Sequence, residues 1–207
     1  MLTEAIFLYI VIVISAVFHE YAHAWMARRL GDTTAEQMGR LTLNPLAHID
    51  PIGTVLLPLL LLFAPAIVGG QGVFIGWAKP VPYNPYNLRD QKYGNLKVAI
   101  AGPITNIIIA LLLGLIVRFS SQIAFMTPEV VGMLIFIVLI NIYLALFNMI
   151  PIPPLDGSKV LSDLFPSSTG FMNAVGPFGI IIALFAAFYV LGPIAGLLLE
   201  LIVGPLA

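Results

Sequence analysis

Four stretches of the chain stay apolar over lengths that match a lipid bilayer: residues 2 to 30, about 98 to 117, about 129 to 150 and about 171 to 191. Roughly 20 helical residues cross the hydrocarbon core, and backbone polar groups there must be satisfied within the protein itself. A chain built from such runs is expected to be an all-α, polytopic membrane helix bundle of about five to six membrane segments. Composition agrees. Of 207 residues 60% are hydrophobic and only 9% charged, with a mean hydropathy of +1.03, too little charge to cover a soluble domain.

Between these runs the pattern changes. Residues 31 to 51 are polar and turn-rich, after a helix stop at Gly31. Residues 52 to 68 are apolar but broken by Pro58 and Pro65, and residues 72 to 95, "GVFIGWAKPVPYNPYNLRDQKYGN", have no helical period. The latter reads as an extended hairpin or loop. The last segment, "PIAGLLLELIVGPLA", is half a span or an interfacial helix, and Glu200 within it has no evident role.

Charge sets the expected orientation. Arg28 and Arg29 follow the first run, whereas Glu4 precedes it, which reads as an anchor with its N-terminus outside rather than a cleaved export signal. Lys and Arg at 28, 29, 40, 79, 89, 92, 97 and 159 then fall on the cytoplasmic side, with Arg118 the exception. A full crossing by residues 52 to 68 would place Lys79 to Lys97 outside. A re-entrant segment keeps both ends cytoplasmic, and non-helical backbone at depth implies that it is buried in protein or lines a wet cavity. The net charge of −1 leaves no basic surface for nucleic acid. With no cysteine in the chain, any metal must be held by histidine and carboxylate.

Such a set lies in the first run. His19-Glu20-Tyr21-Ala22-His23 is an HExxH pattern. Residues four apart differ by about 40° around a helix, so both imidazoles project from one face. Glu20, about 100° round from His19, can act on a water at the metal without being a ligand. Zinc suits two imidazoles and a carboxylate with a fourth position left for water. Each ionisable group at membrane depth costs roughly 2.5 kcal/mol or more unless compensated, so chance is a poor explanation for three. For the third ligand, Asp156 in "NMIPIPPLDG" (148 to 157) follows a full apolar span. It either turns into the bundle interior or caps a helix starting near Ser158.

HExxH in the first helix, "GPITN" at 102 to 106 and NxxPxxPxDG at 148 to 157 together resemble the site-2 proteases, zinc intramembrane proteases that cut transmembrane segments of other proteins. The resemblance runs over about residues 5 to 165, within one membrane domain over 1–207. It implies one zinc ion per chain on His19, His23 and Asp156, with Glu20 as catalytic base. It also implies a transmembrane protein substrate within the lipid bilayer, and an active site near the cytoplasmic side of the cell membrane. No stretch of the 207 residues could fold as the PDZ or CBS domain of larger members.

Other residues invite narrower readings. The Asn148 amide could hold a developing oxyanion, or simply bond a neighbouring helix. Asn106 could contact substrate or glue helices, while Gly102 and Pro103 let another backbone approach; Asn141 reads as packing. Gly76 and Trp77, within 72 to 83, could form an edge along which substrate lies extended. His48 reads chiefly as a loop cap at the membrane surface. A zinc transporter and an inactive helix-binding scaffold are the rival classes, and the sequence leaves the oligomeric state open.

Overall fold

The computed structural model describes residues 2–56, 78–123 and 126–205. The expected apolar runs are helices. Helix α1 covers Leu2–Arg29, with Glu4 in its first turn and Arg28 and Arg29 in its last, the arrangement that complements the helix dipole. It stops at Gly31, whose φ of 109° is costly for residues with a Cβ. A short α2 (Thr34–Gln37) follows. Helix α3 spans Gly94–Arg118 and stays helical through Pro103. Helix α4 spans Pro128–Asn148 and is capped by Thr127, whose side chain accepts from the Val130 N–H.

Beyond α4 come α5 (Asp156–Leu164), α6 (Thr169–Val175), α7 (Gly179–Ala186) and α8 (Gly192–Val203). Four stretches are long and apolar enough to cross a membrane: Thr3–Arg29, Gly94–Arg118, Pro128–Asn148 and Pro166–Ala186. The last is composite, with α6 and α7 joined through a 3-10 turn at Gly176–Phe178. The architecture is therefore the expected all-α membrane bundle, and no strand occurs among the described residues.

Of the re-entrant segment and extended stretch expected over 52 to 95, residues 57 to 77 lie outside the described residues, Gly76 and Trp77 among them. Of the flanks, Pro51–Leu56 forms a π-helical turn. Residues 78 to 84 have no regular structure, and Pro85–Asn87 make a 3-10 turn.

Helix α3 is the central post, packed against α1, α4, α5 and α8. The last segment, expected as half a span or an interfacial helix, is α8, whose Ala195, Leu199, Ile202 and Val203 form a core with Ala110, Val117, Val138 and Ile142. A Cβ on Gly114 would lie 2.2 Å from Ile202, so only glycine lets α8 settle this close. Arg118, the lone cation at the far end, donates to the Leu201 carbonyl at 2.9 Å and the Ile202 carbonyl at 3.5 Å. It supplies donors and positive charge where α8 ends with unsatisfied carbonyls.

At the opposite end, Asp32 ties the loop after α1 to the loop before α3. Its carboxylate accepts from the Thr34 N–H and hydroxyl (3.2 and 2.6 Å), the Asn87 amide (2.9 Å) and the Asn84 N–H (2.8 Å). Burial alone would push this carboxyl up, but the bonds from Thr34, Asn87 and Asn84 outweigh it and hold the pKa below the ordinary value. Asp32→Ala should cost about 1–2 kcal/mol, because it removes the buried carboxylate that accepts from both loops. The wild-type advantage should be full above the unfolded pKa of about 4 and vanish as pH falls through the lower folded value. Thermal unfolding in detergent across pH checks this; equal melting temperatures at neutral pH would contradict it.

Candidate metal centre

One turn of α1 separates His19 from His23, and their rings meet edge-on at 82° with centroids 4.6 Å apart. Asp156, the first residue of α5, reaches both: its Oδ2 lies 3.1 Å from His19 Nε2 and 3.0 Å from His23 Nε2. All three residues are buried. Leu155 occupies the cap position of α5 with no side-chain capping bond, so of the two sequence readings the Asp156 carboxylate takes the interior one.

The far nitrogen of each imidazole is spent. His23 Nδ1 lies 2.7 Å from the Val98 carbonyl, which can only accept, so Nδ1 carries the proton. His19 Nδ1 lies 2.6 Å from Asn106 Oδ1 and donates likewise. In the neutral rings both Nε2 lone pairs then face a carboxylate oxygen, an arrangement that calls for a cation among them. Zinc bonds of about 2.0–2.1 Å in a tetrahedron place donors about 3.3 Å apart, close to the separations here. Backbone geometry leaves the space: a Cβ on Gly102 would lie 2.5 Å from Nε2 of both histidines. The donor set and this cradle fit zinc. Asp156 Oδ1 is held separately by Lys159 Nζ at 2.9 Å, which leaves one oxygen facing the imidazoles.

A cavity of about 670 Å³ opens against this cluster, walled by apolar side chains such as Ile12, Val13, Val17, Leu144 and Phe147. Glu20 and Asn148 also line it. Glu20 stands outside the clustered donor atoms; its Oε2 accepts the Val81 N–H at 2.8 Å. That N–H belongs to a segment braced by Arg40, which donates to the Lys79 and Pro80 carbonyls at 2.6 and 3.3 Å. Asn148 donates one amide hydrogen to the Leu144 carbonyl at 2.9 Å, and a primary amide has a second to offer.

Asn106 is fully buried and bonded to His19 and Asn141, so of its two readings, substrate contact or a join between helices, the geometry is that of the join. His48 lines the cavity, yet its Nε2 bonds the Thr42 carbonyl at 2.8 Å and it stands apart from the metal cluster found among the described residues. Sequence reasoning missed Lys159 and the N–H of Val81. Lys159 had a signal, since three residues after Asp156 on a helix means the same face. Val81 had none, because a backbone donor is invisible in sequence.

The comparisons with known proteins agree with this chemistry. The profile described as "Peptidase family M50" matches residues 114–192. "Putative zinc metalloprotease YwhC" of Bacillus subtilis is 39% identical over 166 residues, covering 77% of this chain and 69% of that protein. "Putative zinc metalloprotease Rip2" of Mycolicibacterium smegmatis is 34% identical over 71% of this chain and 52% of its own length. "Putative zinc metalloprotease MJ0611" of Methanocaldococcus jannaschii is 33% identical over 70% of this chain and 63% of its own. No solved structure matches the chain. The chain belongs to peptidase family M50, the site-2 proteases. Its class is that of a zinc metalloprotease of the membrane, and neither the transporter nor the inert scaffold is favoured.

Gly102→Ala should abolish or weaken zinc retention at least 10-fold while α3 stays helical, because the added methyl has only the imidazoles to displace. Zinc content after dialysis, alongside far-UV circular dichroism, measures this. Zinc retention equal to wild type would show that the cradle is not at the ion.

Proposed function

We propose that His19, His23 and Asp156 hold the zinc of this intramembrane endopeptidase, and that Glu20 is its catalytic base. The meeting of two Nε2 atoms with one Asp156 oxygen, each Nδ1 already committed elsewhere, carries the reading. The substrate is a peptide bond in or beside a transmembrane segment of another membrane protein.

When bound, zinc supplies a Lewis acid and lowers the pKa of water at the site. Glu20, held at the cavity wall by the Val81 N–H, takes a proton from the attacking water and returns it to the leaving nitrogen. Lys159 keeps Asp156 Oδ1 occupied, so that a single carboxylate oxygen would be offered to a bound ion. The free amide hydrogen of Asn148 steadies the negative charge growing on the scissile carbonyl oxygen. The apolar walls accept substrate side chains and limit water to the polar end.

A helical substrate hides its carbonyls, so it must be drawn out before cleavage. We propose that the stretch 72 to 83, of which 72 to 77 with Gly76 and Trp77 lie outside the described residues, is where the drawn-out substrate makes contact. The catalytic unit is one domain over 1–207 with its core at about 5–165. Its N-terminus is outside and its zinc is near the cytoplasmic face, on the side of Arg28, Arg29 and Lys97.

Glu20→Gln should retain zinc and lose cleavage of a model transmembrane substrate by about 10²-fold or more, whereas His23→Ala should lose both. Metal analysis and proteolysis in liposomes make the comparison. Undiminished cleavage by Glu20→Gln would remove Glu20 from the mechanism; zinc-dependent flux without cleavage would revive the transporter.

A further inference from the structure

Behind His19 runs a line of buried amides that the proposed mechanism does not use. Asn106 and Asn141 are both fully buried, and Ser15 is nearly so. Asn106 Oδ1 accepts from His19 Nδ1 at 2.6 Å. Asn106 Nδ2 donates to Asn141 Oδ1 at 2.9 Å and to the Ser15 carbonyl at 3.4 Å. Asn141 Nδ2 in turn donates to the Ile137 carbonyl at 2.9 Å and to Ser15 Oγ at 3.0 Å. The line joins α1, α3 and α4.

Its direction is fixed chiefly from one end, the 3.4 Å contact of Asn106 to the Ser15 carbonyl being the weaker constraint. The Ile137 carbonyl has no hydrogen to give, so the Asn141 group beside it must be the amine. That turns Asn141 Oδ1 towards α3, where it can only accept, and so obliges Asn106 to present its own amine. The remaining atom of Asn106, Oδ1, then faces His19 and requires a proton on Nδ1. A neutral imidazole protonated at Nδ1 has its lone pair on Nε2, the atom that faces Asp156. Flipping either amide would oppose like groups at 2.6–3.0 Å between fully buried side chains, which is strongly unfavourable.

We propose that Asn141, two hydrogen bonds removed from the zinc position, is a positioning residue: it sets the orientation of Asn106 and thereby the tautomer in which His19 meets the metal. The proposal rests on the reading of His19 as a zinc ligand. Ordering a ligand's tautomer before the metal arrives strengthens binding, and loss of such outer partners typically weakens metal affinity by about 10–100-fold.

The test uses the full chain in detergent. Zinc affinity is measured by chelator competition, and the tautomer by ¹⁵N NMR of histidine-labelled, zinc-free protein at alkaline pH. Asn141→Leu, or Asn141→Ala should the leucine variant not fold, removes both ends of the amide. Either is expected to weaken zinc binding about 10-fold or more and to convert His19 from Nδ1–H alone to a mixture with Nε2–H. Asn141→Asp keeps an acceptor for Asn106 and should retain the wild-type His19 signal. Unchanged affinity and signal in the leucine or alanine variant would overturn the proposal. So would weaker zinc binding with an unchanged His19 signal, since that is a packing defect. His19→Ala is the control: if it binds zinc like wild type, the ligand reading has failed instead.

Discussion

A polar side chain at membrane depth has no water to fall back on, so each must be satisfied by the protein itself. In this chain that requirement binds the zinc site to the fold. Each imidazole is held on its outer nitrogen by α3, through the Val98 carbonyl and Asn106. Their inner nitrogens meet a carboxylate from α5, whose second oxygen is met by Lys159. Three helices are fixed relative to one another because no group among them can be left unpaired cheaply.

Small residues make that closeness possible. Gly102 admits the imidazoles to the face of α3, and Gly157 admits the turn after α4, since a Cβ there would sit 2.3 Å from the Met149 carbonyl oxygen. The "DG" of the last motif thus joins the proposed ligand Asp156 to the glycine that allows its helix to start where it does.

Much of this was legible in the sequence, for physical reasons. Apolar runs of bilayer length leave few alternatives to helices, and α1, α3 and α4 fall where the runs placed them. HExxH is local, so helical periodicity alone puts His19 and His23 on one face. Asp156 was legible only as one of two possibilities, because nothing local says which way a carboxylate turns after three prolines. Asn141 looked like packing, since an amide's partners across helices leave no mark in its own segment. The role of Val81 was beyond reach, because a backbone N–H has no sequence signature. Of the extended hairpin expected over 72 to 95, residues 78 to 95 are described and hold no strand, while 72 to 77 with Gly76 and Trp77 lie outside the described residues, and its part in substrate binding stands as a proposal.

The central claim is that α1 and α5 meet at one zinc ion through two imidazoles and a single carboxylate oxygen. Zinc K-edge X-ray absorption of the purified, zinc-loaded protein tests it most directly. One zinc per chain is expected, with two imidazole shells at about 2.0 Å and oxygen donors near 2.0–2.2 Å, and the ordered site should be lost in Asp156→Ala. A three-imidazole site, or a spectrum that Asp156→Ala leaves unchanged, would contradict it.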